Sequence, residues 1–156
     1  MSDNMYRTAL GRCYIHVAAA ARYLAVATEG APAVRSRLCL LLELAESAQS
    51  LIEALVDVST LPQRERILFE AERAGAADPS LDEIATRWAI ECGTFTSSLR
   101  ELTTAAPESD RRLLEAVHRH AEYFFALCQA DSAERYTCAI ADFLARQELH
   151  LPVHIR

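Results

Sequence analysis

From Ser80 onward, apolar residues recur at Leu81, Ile84, Ala85, Trp88, Cys92, Phe95, Leu99 and Leu102 in steps of three and four. That spacing is the period of a helix with one buried stripe. Similar stripes cover almost the whole chain, broken only by a few residues at a time, and no run alternates in the manner of a strand. The pattern predicts an all-α fold: an up-and-down bundle of four long helices with one or two shorter helices packed on it, forming a single domain over 1–156.

The punctuation sets the expected boundaries. A first helix runs from about Asn4 to Thr28 and buries Tyr6, Leu10, Cys13, Val17, Ala21 and Leu24, with Gly30 in the left-handed position that glycine favours beyond a helix end. Pro32 opens a second helix reaching about Val58, whose stripe is Leu38, Leu41, Leu42, Ala45, Ala48, Ile52 and Leu55. Each spans about 25 residues, or roughly 37 Å. Thr60-Leu61-Pro62-Gln63 reads as a capping box that starts a shorter helix ending at Gly75. Ser80-Leu81-Asp82-Glu83 is a second such box, and Asp131-Ser132-Ala133-Glu134 a third. Between these lie a fourth helix ending before Pro107 and a fifth from about Glu108 to Gln129; the last helix stops before Pro152. Short connections make consecutive helices antiparallel neighbours.

Composition narrows the function classes. The chain has 156 residues, half of them apolar, enough for a core that needs no staple. A formal charge of −6 argues against non-specific binding to nucleic acid or anionic lipid. The most apolar stretch, Tyr14 to Ala27, is interrupted by His16 and Arg22, which weighs against a membrane span. The start of the chain carries an acid where a secretory signal has basic residues. Five cysteines sit singly inside helical patterns, as reduced core residues of a cytoplasmic protein do.

Four constellations carry possible chemistry. Glu115-Ala116-Val117-His118 on the fifth helix, with Glu91 on the fourth, Glu43 and Glu46 on the second and His16 on the first, resembles the ligand set of ferritin-like di-iron proteins. The resemblance implies a metal or small-ligand pocket built around His16, Glu91, Glu115, His118 and His120, holding iron, manganese, zinc or copper. Read by themselves, however, Glu43, Glu46, Ser50, Glu53 and Asp57 form a polar stripe of their own, and so do Arg111, Glu115, His118 and Glu122; both then face water. His120 shares a face with Leu113, Val117, Phe124 and Leu127, where a histidine is commonly a hydrogen-bonded core residue.

Ser80 to Leu102 resembles the helix-turn-helix of TetR-like bacterial regulators, with Ile84 and Ala85 in the first helix, Ile90 at the turn and Gly93-Thr94-Phe95 opening the recognition helix. That resemblance implies DNA binding and requires a break between Ala89 and Gly93, whereas the apolar period runs through that stretch unbroken. Arg111 and His118 resemble the Arg and His of helical HEPN ribonucleases. The scattered cysteines resemble those of Cu(I)-binding four-helix bundles, although here each helix carries at most one. Nothing in the chain forms a nucleophile elbow, a phosphate loop or a His-Glu-x-x-His motif.

The leading expectation is a non-enzymatic protein acting through protein contact as a homodimer, without a cofactor. Leu40, Leu44, Ile90 and Phe125 supply apolar surface beyond a single stripe, which a symmetric interface would bury. The ferritin-like pocket and the DNA-binding regulator are the alternatives.

Overall fold

The computed structural model describes residues 2–30, 35–77 and 80–130, together with 135, 138, 139, 141, 142 and 145. Helices account for most of these and no described residue is in a strand. In chain order they are α1 (Asp3–Gly30), α2 (Arg35–Glu53), a 3-10 turn (Val58–Thr60), α3 (Arg64–Gly75), α4 (Leu81–Ala105) and α5 (Glu108–Cys128). The expected all-α class holds, and no helix of the described residues is long and apolar enough to cross a membrane. Arg135, Cys138, Ala139, Ala141, Asp142 and Ala145 are helical, while the box at Asp131, the start at Pro32 and the segment from His150 onward lie outside the described residues.

The helices surround two connected layers of core. One joins the first half of α1 (Tyr6, Leu10, Tyr14, Val17) to the end of α2 (Ile52), Leu68 of α3, the end of α4 (Phe95, Leu99, Leu102) and the start of α5 (Leu114, Val117). The other joins the second half of α1 (Tyr23, Leu24) to the start of α2 (Leu38, Leu41), the start of α4 (Ile84, Trp88) and the end of α5 (Phe124, Leu127). These pairings run α1 and α5 in one direction and α2 and α4 in the other. Closure of Tyr14, Leu24, Leu38, Ile52, Ile84, Leu99, Leu114 and Val117 from water contributes about 1.5–3 kcal/mol for each large aliphatic side chain.

Local chemistry explains where the elements begin and end. Ser80 Oγ accepts from the Glu83 amide at 3.2 Å and the Glu83 carboxylate accepts from the Ser80 amide at 2.8 Å, so the second box forms as expected. Pro107 likewise separates α4 from α5. By contrast the Thr60 box does not form. The Thr60 hydroxyl donates backward to the Asp57 carbonyl at 2.7 Å and Asp57 Oδ1 accepts from the Ser59 amide at 3.1 Å, within a 3-10 turn that lies apart from the start of α3. Gln63 itself precedes α3 in the left-handed conformation, at φ 62°. α2 ends at Glu53, short of the Val58 expected from its stripe, where the Leu55 amide donates back to the Ile52 carbonyl at 2.8 Å. At the other boundary, Gly30 is still helical rather than a left-handed residue beyond the end.

α3 lies along α1 in the same direction. Arg64 stacks over Tyr14, 5.9 Å from the ring centroid, and Gly75 sits against the Tyr23 carbonyl. A Cβ at Gly75 would collide with that oxygen, so glycine here permits close approach of two backbones. Most relevant to the fourth helix, α4 is continuous from Leu81 to Ala105. There is no turn at Ala89 to Gly93, and the helix-turn-helix expectation is corrected: one apolar stripe packed on α5 keeps the helix whole.

Candidate functional site

Three of the four seams between the long helices are closely packed, α1 on α2, α2 on α5 and α5 on α4, whereas α1 meets α4 only loosely. The result is a groove of about 620 Å³ between α1 and α4. Cys13, His16, Phe95 and Leu102 line it, with Arg12 on the α1 side and Ile90, Glu91 and Glu101 on the α4 side. His16 stacks on Phe95 with ring centroids 4.5 Å apart and meets Trp88 edge-on at 6.0 Å. Trp88 in turn contacts Tyr23 at 5.6 Å and Phe124 at 6.2 Å, so one aromatic cluster braces the groove from behind.

Burial dominates the electrostatics of the groove. Burial lowers the His16 pKa below its ordinary value, opposed by the nearby Glu91 carboxylate. Burial pushes the Cys13 thiol up to about 11, which keeps it protonated and a poor nucleophile. Glu91 is engaged by Arg87 at 3.3 Å, and the Arg87 guanidinium also stacks over Tyr23 at 5.3 Å.

The proposed metal ligands do not assemble. His16 and Glu91 belong to the α1/α4 groove. His120 shares with His16 the lining of a separate, small internal cavity, and its Nδ1 lies 2.8 Å from the Ala116 carbonyl. Glu115 and His118 lie on the opposite side of α4, in the groove that it forms with α5. Among the described residues no group of three or more His, Cys, Asp or Glu is placed to hold a metal ion. On α5 the Glu-x-x-His pair lines a different groove from the cavity that His120 lines. Cys13 sits in one core layer and Cys92 and Cys128 in the other, and every cysteine described is free. Burial raises Cys92 to about 12 and Cys128 further still.

The four interface candidates also separate. Leu44 is buried in the core at 3% exposure, and Leu40 and Phe125 are partly buried against the same layer. Leu44 is thus a core residue, because α2 is covered on two sides, by α1 and by α5. Ile90 alone of the four is fully exposed, at 71%. Phe69, at 60%, and Met5, at 61%, are exposed apolar residues that the sequence pattern did not single out; Phe69 lies off the Leu68 stripe of α3, which was the available signal. No protein-family model, curated protein or solved structure matches the chain.

Proposed function

We propose that this is a non-enzymatic helical-bundle protein of the cytosol that acts by protein contact, and that a second copy of the chain docks on the α1/α4 groove to form a homodimer. The open seam with Ile90 exposed at its edge carries this reading. Exposed apolar side chains beside a concave apolar floor are what an interface covers. The walls support self-association in particular. Arg12 stands on the α1 side and Glu91 and Glu101 on the α4 side, so a copy related by a twofold axis running along the groove lays each α1 wall over the other's α4 wall and sets unlike charges against each other. Free thiols at all five cysteines are compatible with a reducing compartment.

Light scattering and sedimentation equilibrium test the proposal on the wild type and on Ile90→Asp. The expected result is twice the chain mass of 17.3 kDa for the wild type and the single-chain mass for the variant, with helix content unchanged. A wild type that stays at the single-chain mass at all concentrations overturns self-association, and so does a variant that remains dimeric.

A further inference from the structure

Although the chain carries a formal charge of −6, three guanidinium groups converge on one groove between the end of α4 and the first half of α5. Arg100 comes from α4 and Arg111 and Arg119 from α5, with Thr103, Glu115 and His118 completing a groove of about 530 Å³. Helical spacing places Arg111, Glu115, His118 and Arg119 on one side of α5. Arg111 is anchored: it bonds Glu108 at 2.6 Å and the Ala106 carbonyl at 3.3 Å. Arg100 and Arg119 form no ion pair with a described residue. With Arg111 paired to Glu108, the guanidiniums of Arg100 and Arg119 stand against the single carboxylate of Glu115, an excess of positive charge that a bound anion would neutralise.

We propose that this groove binds a small phosphate monoester that also carries hydroxyl groups. Guanidinium forks match the paired oxygens of a phosphate, and two of the three forks here have no carboxylate of their own. The remaining polar groups suit hydroxyls. Glu115 accepts hydrogen bonds only, and the Thr103 and Thr104 hydroxyls already donate to the Leu99 and Arg100 carbonyls at 2.7 and 2.9 Å, leaving oxygen lone pairs that accept from a ligand. The groove is also short and bounded. Glu108 stands by Arg111, and the Glu122 carboxylate is 3.7 Å from His118 Nδ1, so the basic surface does not continue as the stripe that a nucleic acid requires. This site shares no residue with the α1/α4 groove and stands or falls independently of it.

Calorimetric titration of the full chain with glycerol 3-phosphate, inorganic phosphate and glycerol tests it. Glycerol 3-phosphate is expected to saturate one site per chain and to bind more tightly than inorganic phosphate, while glycerol alone gives no heat. Arg100→Ala and Arg119→Ala are each expected to weaken binding about tenfold or more, with helix content unchanged. Glu115→Ala is expected to reduce the preference for the ester over inorganic phosphate. Absence of saturation, indifference to both arginine substitutions, or equal affinity for ester and phosphate overturns the proposal. Tighter binding of a phosphoserine peptide or a DNA oligonucleotide overturns the assignment to a small ester.

Discussion

The His16 imidazole lies almost flat on the Phe95 ring, with the planes 16° apart, where α1 passes α4. Burial there holds its pKa below the ordinary 6.5, and burial does the same to His120. Both rings are therefore protonated more readily in the unfolded chain than in the folded one. Above about pH 6.5 they are mainly neutral in either state and their contribution to stability is complete. Below it the unfolded state takes up protons first and stability falls, by at most about 1.4 kcal/mol per pH unit for each histidine. Urea denaturation between pH 7 and pH 5 should show this loss, and the variant carrying His16→Gln and His120→Gln should show a flatter profile. Glu83, held below its ordinary 4.5 by hydrogen bonds from Ser80, acts only at lower pH and does not confuse the window. An equally steep profile in the variant would exclude the two imidazoles as its source.

Two glycines in helices should respond in opposite directions to the same substitution. Gly75→Ala drives a methyl group into the Tyr23 carbonyl and to 3.3 Å from Val26 Cβ. Because backbone cannot yield as a flexible side chain does, α3 must move off α1, at a cost of about 1–3 kcal/mol. Gly93 lies in the middle of α4, exposed, and a methyl group added there would meet nothing within 4 Å. Gly93→Ala should raise stability by about 0.5–1 kcal/mol through helix propensity alone. Thermal denaturation of the two variants side by side decides both signs.

The legible parts of this chain were those fixed by local pattern. The stripe through Trp88 and Leu99 and the Ser80 box depend on residues within a few positions of one another, and both form as expected. The Thr60 box failed because the chain from Asp57 to Thr60 closes a 3-10 turn and α3 begins only at Arg64, behind Gln63 in the left-handed conformation, so the Thr60 oxygen does not stand at the helix start. Leu44 and Ile90 looked alike as apolar residues off a stripe, yet α2 is enclosed from two sides and α4 leaves its α1 side open. That difference arises from the packing of all the helices together and has no local signature. The same holds for Glu115 and His118, which lie at the margin of the α5 stripe, where periodicity alone does not separate core from groove.

Tyr6 fastens the first turn of α1 to the first turn of α5, its Oη donating to Asp110 Oδ2 at 2.8 Å. Burial and the neighbouring carboxylate both push the phenol pKa well above its usual range, so the proton stays on the phenol and the bond persists at alkaline pH. Tyr6→Phe keeps the packed ring and removes only the donor. Loss of a hydrogen bond to a charged acceptor should cost about 1–3 kcal/mol, whereas Asp110→Asn retains an acceptor and should cost less. Denaturant midpoints of the two variants provide the comparison, and equal losses would mean that the bond itself contributes little.

Leu44→Ala and Ile90→Ala should separate folding from association. Leu44 is 3% exposed and packs with Trp88 and Phe124 around the small internal cavity, so its truncation leaves a void that the rigid rings cannot fill, at about 2–5 kcal/mol. Ile90 is 71% exposed, and alanine is the better helix former, so monomer stability should stay level or rise slightly. Association should behave in the reverse way. Ile90→Ala should raise the concentration at which the dimer forms, while Leu44→Ala should leave it unchanged wherever the protein remains folded. Denaturation at a concentration low enough to hold both variants as monomers, followed by sedimentation at high concentration, resolves the two effects. If Ile90→Ala weakened folding and not association, Ile90 would belong to the monomer's own packing and the α1/α4 groove would lose its role as a contact surface.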